Sequence, residues 1–299
     1  MRRKILLLEP LVESGLEVLQ QSEEVQIVHA ASDFNPEEIY GIIARGKIPV
    51  TKEMIDRMSN LKVISKCGTG LDTIATDHAA TKHISIYNTP GINADSVAEH
   101  TLALILMLKR KINRATHEVR KGNWNYRAAY DGDEIRDKTL GVIGMGDIGQ
   151  KVARLANCFG MVIQYWNRSN KNLEYRQITL DELFATSDVV SIHVALNDET
   201  RYLVDQSALD LMKSNAIIIN TARADIVDEK ALVEKLKVGE LGAYAVDVPR
   251  NDFPDADHPL NQFENVLMTP HTASLTKRTF DEICKKAALN ILEFIGDKD

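Results

Sequence analysis

Apolar positions along this chain follow two alternating rhythms. Short continuous apolar runs alternate with stretches in which apolar residues return every third or fourth position. In the first third the runs are Ile5–Leu8, Gln26–His29, Ile39–Ala44, Lys62–Lys66 and Ser85–Tyr87, with helical stretches or turns between most of them. A long helix is predicted to begin near Asn93-Ala94-Asp95-Ser96, which offers good N-cap residues, and to run through Val97, Leu102, Ile105, Leu106 and Leu108. It is long enough to bridge two units. Later runs at Thr139–Ile143, Met161–Trp166, Val189–Val194, Ala216–Asn220, Ala243–Val246 and Val266–Met268 are again mostly separated by helical patterns. Strands alternating with helices predict an α/β fold with doubly wound parallel sheets. A final amphipathic helix, from about Thr276 to Phe294, has no strand after it and is expected to fold back onto the first unit.

One turn between these elements carries chemistry. Gly144-Met145-Gly146-Asp147-Ile148-Gly149 has the G-x-G-x-x-G pattern. It follows the run Thr139–Ile143 and opens a helix marked by Val152, Leu155, Ala156 and Phe159, which stops at Gly160. Strand, glycine turn, helix, strand is the unit that binds dinucleotides. The first glycine permits the tight turn and the second lets backbone approach the pyrophosphate. The third lets helix and strand pack closely, with the helix N-terminus facing the phosphates. Residues 4–90 repeat the alternation without such a fingerprint.

The end of the next strand bears on which dinucleotide is bound. NAD-specific sites usually place Asp or Glu there, about twenty residues after the glycines, to accept from the ribose hydroxyls. This chain has Asn167-Arg168-Ser169, with Lys171 close behind. Asn does not repel a 2′-phosphate, Arg168 can pair with one through its planar fork, and Ser169 can donate to it. NADP is therefore favoured over NAD.

Composition narrows the setting. With 299 residues and 44% apolar content, the chain can build two cores. Its longest apolar stretch, Leu102–Leu108, is too short for a membrane helix, and the run after Met1-Arg2-Arg3-Lys4 ends at Glu9-Pro10 before it resembles a signal peptide. A formal charge of −7 argues against a nucleic-acid surface. Cys67, Cys158 and Cys284 lack metal-ligand spacing and read as reduced thiols of a cytoplasmic protein. No metal site is expected.

At this point the chain resembles the D-isomer-specific 2-hydroxyacid dehydrogenases over nearly its whole length. The resemblance rests on Asn88-Thr89-Pro90-Gly91 with Ser96-Val97-Ala98-Glu99, on Gly141 to Gly149, and on Asn220-Thr221-Ala222-Arg223 with Val227-Asp228. Ala245-Val246-Asp247-Val248 and Thr269-Pro270-His271 complete it. It implies two Rossmann-like domains. A substrate domain would comprise residues 1–94 plus 276–299, with a cofactor domain of residues 95–275 inserted into it and the active site in the cleft. It also implies hydride transfer between NAD(P) and a small 2-oxo or 2-hydroxy acid. The same fold serves as an NAD(H)-sensing corepressor, an alternative of a different class. A formate-dehydrogenase-like reading is weaker, because that group carries Gln at the position of Asp252.

The residue roles follow from the same resemblance. Arg223 would bind the carboxylate of the oxo acid and polarise its keto oxygen. His271 would deliver the proton to the developing alkoxide. The family's third catalytic residue is a glutamate that pairs with the histidine; Asp252 stands at its position, one methylene shorter, with Asp255 and Glu264 as the competing candidates. Asp247 would contact the nicotinamide carboxamide, His193 would line the cofactor pocket, and Thr221 belongs to the cofactor set. The other histidines, His100 among them, read as surface or helix residues. Substrate choice falls to Gly68-Thr69-Gly70, whose backbone amides would hold the substrate carboxylate. Arg45 falls where phosphoglycerate dehydrogenases bind phosphate. Gly-Thr-Gly and Arg45 point to phosphoglycerate dehydrogenases, and Asn167-Arg168-Ser169 to NADP-dependent hydroxypyruvate and glyoxylate reductases, so the substrate stays open. The resemblance further implies a homodimer, formed through the helix from about Ser96 to Leu108 and the loop around Trp124 and Tyr126.

Overall fold

A computed structural model describes residues 2–249 and 257–297 of the chain. They form two compact units, Met1–Asn93 with Leu275–Asp299 and Ala94–Ser274.

The first unit opens with β1 (Arg3–Leu7), α1 (Glu13–Gln20), β2 (Val25–His29) and β3 (Ile39–Ala44). It continues with α2 (Lys52–Asp56), β4 (Val63–Lys66), α3 (Thr76–Thr81) and β5 (Ser85–Tyr87). The strands make one parallel sheet in the order β2-β1-β3-β4-β5. Successive strand residues face opposite sides, and here both sides are covered, so both alternating sets are apolar. Ile5, Leu7, Ile43 and Val63 pack on one face with Leu19 of α1. Leu6, Ile42 and Ile64 pack on the other with Ile55, Met58 and Ala79.

The second unit runs through α4 (Ala94–Lys109), α5 (Ile112–Arg120), β6 (Thr139–Ile143), α6 (Asp147–Cys158), β7 (Val162–Trp166) and β8 (Arg176–Gln177). Then come α7 (Leu180–Thr186), β9 (Val189–Ile192), α8 (Gln206–Leu211), β10 (Ile217–Asn220), α9 (Glu229–Lys237), β11 (Ala243–Val246) and β12 (Val266–Met268). Seven parallel strands lie in the order β12-β11-β10-β9-β6-β7-β8. Leu140, Val142, Ile217 and Ile219 face α4 and α6, while Ile143, Val190, Ile218 and Tyr244 face α7, α8 and α9. The last helix, α10 (Lys277–Gly296), places Ile283, Ala287 and Ile291 in the core of the first unit.

Three features depart from the apolar pattern. The strand expected to reach Val194 ends at Ile192, where His193 turns into the loop. β8 has only two residues, too short for any periodicity to register. α5 buries no residue, although Ile112, Ala115 and Val119 recur at helical spacing. Among the described residues no helix is long and apolar enough to cross a membrane.

Candidate active site

Because every strand of the second sheet runs parallel, the loops leaving their C-terminal ends lie along one edge. β6 lies between β7 and β9, so the chain departs from it in both directions and a crevice opens there. The glycine turn occupies this switch point. Gly144 has φ +96°, a conformation that L side chains rarely adopt, and its N–H donates to the Trp166 carbonyl at 2.9 Å. A Cβ on Gly144 would stand 2.8 Å from the His193 carbonyl oxygen. One on Gly149 would stand 2.0 Å from the Gly144 carbonyl oxygen, so only glycine lets α6 begin this close to the turn. Gly146 differs: a Cβ there would meet nothing within 4 Å. Space is left beside the backbone of Gly146 at the first turn of α6, which Asp147 and Ile148 open. These are the features a dinucleotide pyrophosphate requires, and the residues fit that cofactor.

At the end of β7, Asn167 is turned inward. Its Oδ1 accepts from the Met145 N–H at 3.1 Å, and its Nδ2 donates to the Ser169 carbonyl at 2.9 Å and to Ser169 Oγ at 3.2 Å. The asparagine thus ties the glycine turn to the Arg168 loop. Arg168 is itself 78% exposed and pairs with Glu199 at 2.8 Å. That carboxylate, from the loop after β9, gave no signal in the sequence.

His193 follows β9. Withdrawal from water pushes its pKa down to about 3, so the ring is neutral at pH 7, with Nε2 2.7 Å from Ser191 Oγ. A neutral ring of this kind suits a pocket wall.

Arg223 leaves the end of β10 in extended conformation. The fully buried Asn220 shapes this turn, accepting from the Ala222 N–H at 3.0 Å and donating to the Arg223 carbonyl at 2.8 Å. Arg223 Nη1 donates to the Ala222 carbonyl at 2.6 Å. Thr221 Oγ1 is 3.2 Å from Thr101 Oγ1 of α4; Thr101 already donates to the Val97 carbonyl, so the Thr221 hydroxyl is the donor.

His271 follows β12 with φ +55°. Its N–H donates to the Asp247 carbonyl at 2.7 Å. Asp247, only 1% exposed, accepts from the Thr272 N–H at Oδ1 (2.8 Å), from the Ala273 N–H at Oδ2 (2.9 Å) and from the Thr269 hydroxyl at Oδ1 (2.6 Å). The Asp247 side chain therefore braces the loop that carries His271. Asp252 and Asp255 lie outside the described residues. Glu264 is 79% exposed, 3.6 Å from Arg114 Nε.

In the first unit, Gly68 has φ +118° and turns the chain after β4. Its N–H donates to Thr89 Oγ1 at 2.9 Å, while Asn88 Nδ2 donates to the Thr69 carbonyl at 2.8 Å. Among the described residues, nothing accepts from the N–H groups of Thr69 and Gly70. The amides of Thr69 and Gly70 are thus the ones left open to an anion, while that of Gly68 is engaged by Thr89. Arg45 Nη1 donates to the Pro10 carbonyl at 2.9 Å, and its guanidinium stacks on Phe280 at 4.4 Å. Glu9 accepts the backbone N–H groups of Arg45, Gly46, Lys47 and Ile48. The loop carrying Arg45 is therefore fixed in place from below.

Residues 102–273 match the family model for the NAD-binding domain of D-isomer specific 2-hydroxyacid dehydrogenases. The chain is 39% identical to a glyoxylate reductase of Aeropyrum pernix over 82% of its own length and 77% of that protein. It is 37% identical to a D-3-phosphoglycerate dehydrogenase of Methanocaldococcus jannaschii over 92% of its own length, but spans only 54% of that relative. Among solved structures, the NADPH-dependent glyoxylate/hydroxypyruvate reductase of Sinorhizobium meliloti, in complex with NADP and malonate, superposes with a TM-score of 0.90 at 26% identity, covering 99% of this chain and 94% of that one. The glycine turn at the switch point, with Arg223 after β10 and His271 after β12 at the same edge of one sheet, agrees with these matches: the chain belongs to the D-isomer-specific 2-hydroxyacid dehydrogenases, NAD(P)-dependent oxidoreductases of two parallel α/β units.

Proposed function

We propose that the protein reduces a small, unphosphorylated 2-oxo acid, hydroxypyruvate or glyoxylate, to its D-2-hydroxy acid and prefers NADPH to NADH. The observation that carries this reading is the alignment of Gly144–Gly149, Arg223 and His271 along one edge of one parallel sheet. A nicotinamide cofactor, held at Gly144, Gly146, Asp147, Ile148 and Gly149, supplies the hydride. Arg223 binds the substrate carboxylate and polarises the keto oxygen. His271 gives its proton to the oxygen that becomes the hydroxyl. Thr69 and Gly70 offer their N–H groups to the carboxylate, with Gly68 shaping the turn. Asp252 is assigned from sequence alone as the carboxylate that favours the charged imidazole. Thr221 and the neutral His193 line the cofactor site. Asp247 Oδ2 accepts one hydrogen bond and keeps capacity for a second, which suits the carboxamide.

Two observations support the finer choices. Arg45 is already engaged by Pro10 and Phe280, so a substrate phosphate would have to displace those contacts. Asn167 places no carboxylate at the ribose, Ser169 stands beside it and Arg168 is exposed, an arrangement suited to a 2′-phosphate. The test is a panel of 2-oxo acids, including phosphohydroxypyruvate, assayed with both cofactors. Highest kcat/KM for hydroxypyruvate or glyoxylate with NADPH is expected; a preference for the phosphorylated acid would overturn the substrate assignment.

A further inference from the structure

Three successive N–H groups converge on Asp247: that of His271 on its carbonyl oxygen, that of Thr272 on Oδ1 and that of Ala273 on Oδ2. The left-handed φ of +55° at His271 turns the chain so that the next two amides, of Thr272 and Ala273, each grip one oxygen of the Asp247 carboxylate. Non-glycine residues rarely hold that conformation unless their surroundings impose it. Here the surroundings extend to α4. His100 Nε2 lies 3.1 Å from Thr269 Oγ1 and 3.6 Å from Asp247 Oδ1. The Thr269 hydroxyl has one hydrogen and donates it to Asp247 at 2.6 Å. Its oxygen therefore accepts from His100 Nε2–H, and hydrogen bonds run in one direction from His100 through Thr269 to Asp247. One helical turn earlier on the same face, Ser96 donates to the Ala273 carbonyl. The helix thus holds the His271 loop at both ends.

We infer that His100 and Thr269 are positioning residues of the reaction: through Asp247 they fix the backbone conformation that aims the His271 imidazole. This rests on the proposed role of His271 as proton donor. Neither residue touches substrate or cofactor in this scheme, so each acts mainly on turnover, and its effect on cofactor affinity is limited to what reaches the single Asp247 contact with the carboxamide.

The test uses His100→Phe, His100→Gln, Thr269→Val, Thr269→Ser and the double variant His100→Phe/Thr269→Val, each assayed for hydroxypyruvate reduction and for NADPH affinity by fluorescence. Misplacing a catalytic group by about an ångström costs up to about a hundredfold, so His100→Phe and Thr269→Val should each lower kcat by about ten- to a hundredfold. NADPH affinity should stay within about twofold of the parent in both. Gln at position 100 and Ser at position 269 restore the donor and the hydroxyl, and should recover most of the turnover. The double variant should be no worse than the poorer single variant, because both break one chain. Unchanged kcat in Thr269→Val, additive losses in the double variant, or a parallel loss of NADPH affinity would each overturn the inference. Thr269→Val is close to isosteric, so it decides the matter even if His100→Phe does not fold. His271→Ala separates the two levels. If that variant keeps its turnover, the functional reading fails; if it is inactive while His100→Phe and Thr269→Val are not, only the positioning chain fails.

Discussion

Arg168 has a choice of anionic partner, because Glu199 already stands 2.8 Å away. In the proposed function a 2′-phosphate displaces that carboxylate. Removing the guanidinium should cost NADPH a charge-assisted hydrogen bond, about 1.5–3 kcal/mol, or roughly ten- to more than a hundredfold in KM. NADH should be nearly unaffected by Arg168→Ala; equal effects on both cofactors would remove Arg168 from the site. Glu199→Gln should act in the opposite direction, lowering KM for NADPH. The pair is exposed on both sides, so the gain is limited to about 1 kcal/mol, or about fivefold. His193 supplies a prediction in pH. Its folded pKa of about 3 lies below the ordinary 6.5, so the unfolded chain binds a proton that the folded chain refuses between those values. Its share of stability is full above pH 6.5 and is lost as pH falls toward 3. The drop in melting temperature from pH 7 to pH 5 should be smaller in His193→Gln than in the parent, and an unaltered drop would show that the ring is not desolvated. At this scale the sequence put forward Asn167, Arg168, Arg223 and His271 as candidates, because each follows a strand in a motif of recognisable spacing. It gave no sign of the contacts of His100 and Glu199, which depend on neighbours far away in the chain.

The glycine turn and its helix make the element-level case. A side chain at Gly146 would enter open space, whereas one at Gly149 would collide with the Gly144 carbonyl. Gly146→Val should therefore leave the melting temperature nearly unchanged while weakening NADPH binding by tenfold or more, about 1.4 kcal/mol or above. Gly149→Val should lower the melting temperature as well, since α6 has to shift. If both variants melt like the parent, the close contact is absent. Elements were legible wherever burial on both faces made continuous apolar strands, as in β6, β9, β10 and β11. α4 was legible as an apolar helix: Val97, Leu102, Ile105, Leu106 and Leu108 gave the period, Ser96 was read as part of its start, and the polar His100 and Thr101 on the same helix were given no role. Their polarity inside an apolar pattern was the available signal. α5 carried Ile112, Ala115 and Val119 at helical spacing, which was not taken up as a helix, and β8, with two residues, gave no period.

For the whole molecule, the apolar residues of α4 are consumed by the core of their own unit, with Leu104 and Ile105 at most 2% exposed. Exposed apolar surface gathers instead on α5 and the turn after it, where Val119 is 54% and Trp124 68% exposed. The proposed homodimer therefore rests on α5 and Trp124 more than on α4. Light scattering at micromolar concentration should give the dimer mass, and Trp124→Glu should shift it toward the monomer; a parent that is monomeric at that concentration contradicts the assembly. The two-unit α/β plan was legible because helices and strands alternate over the whole chain. The absence of a strand after α10 pointed to its return to the first unit, whereas the boundaries near residues 94 and 276 came from the family resemblance.

The most direct test compares NADPH-dependent reduction of hydroxypyruvate by the parent and by His271→Ala, with NADPH affinity measured on both. The expected result is clear turnover by the parent, a loss of about 10²–10⁴ in kcat for the variant, and unchanged NADPH binding. Equal turnover by the two proteins, or a parent that binds NADPH and reduces no 2-oxo acid, would contradict the assignment.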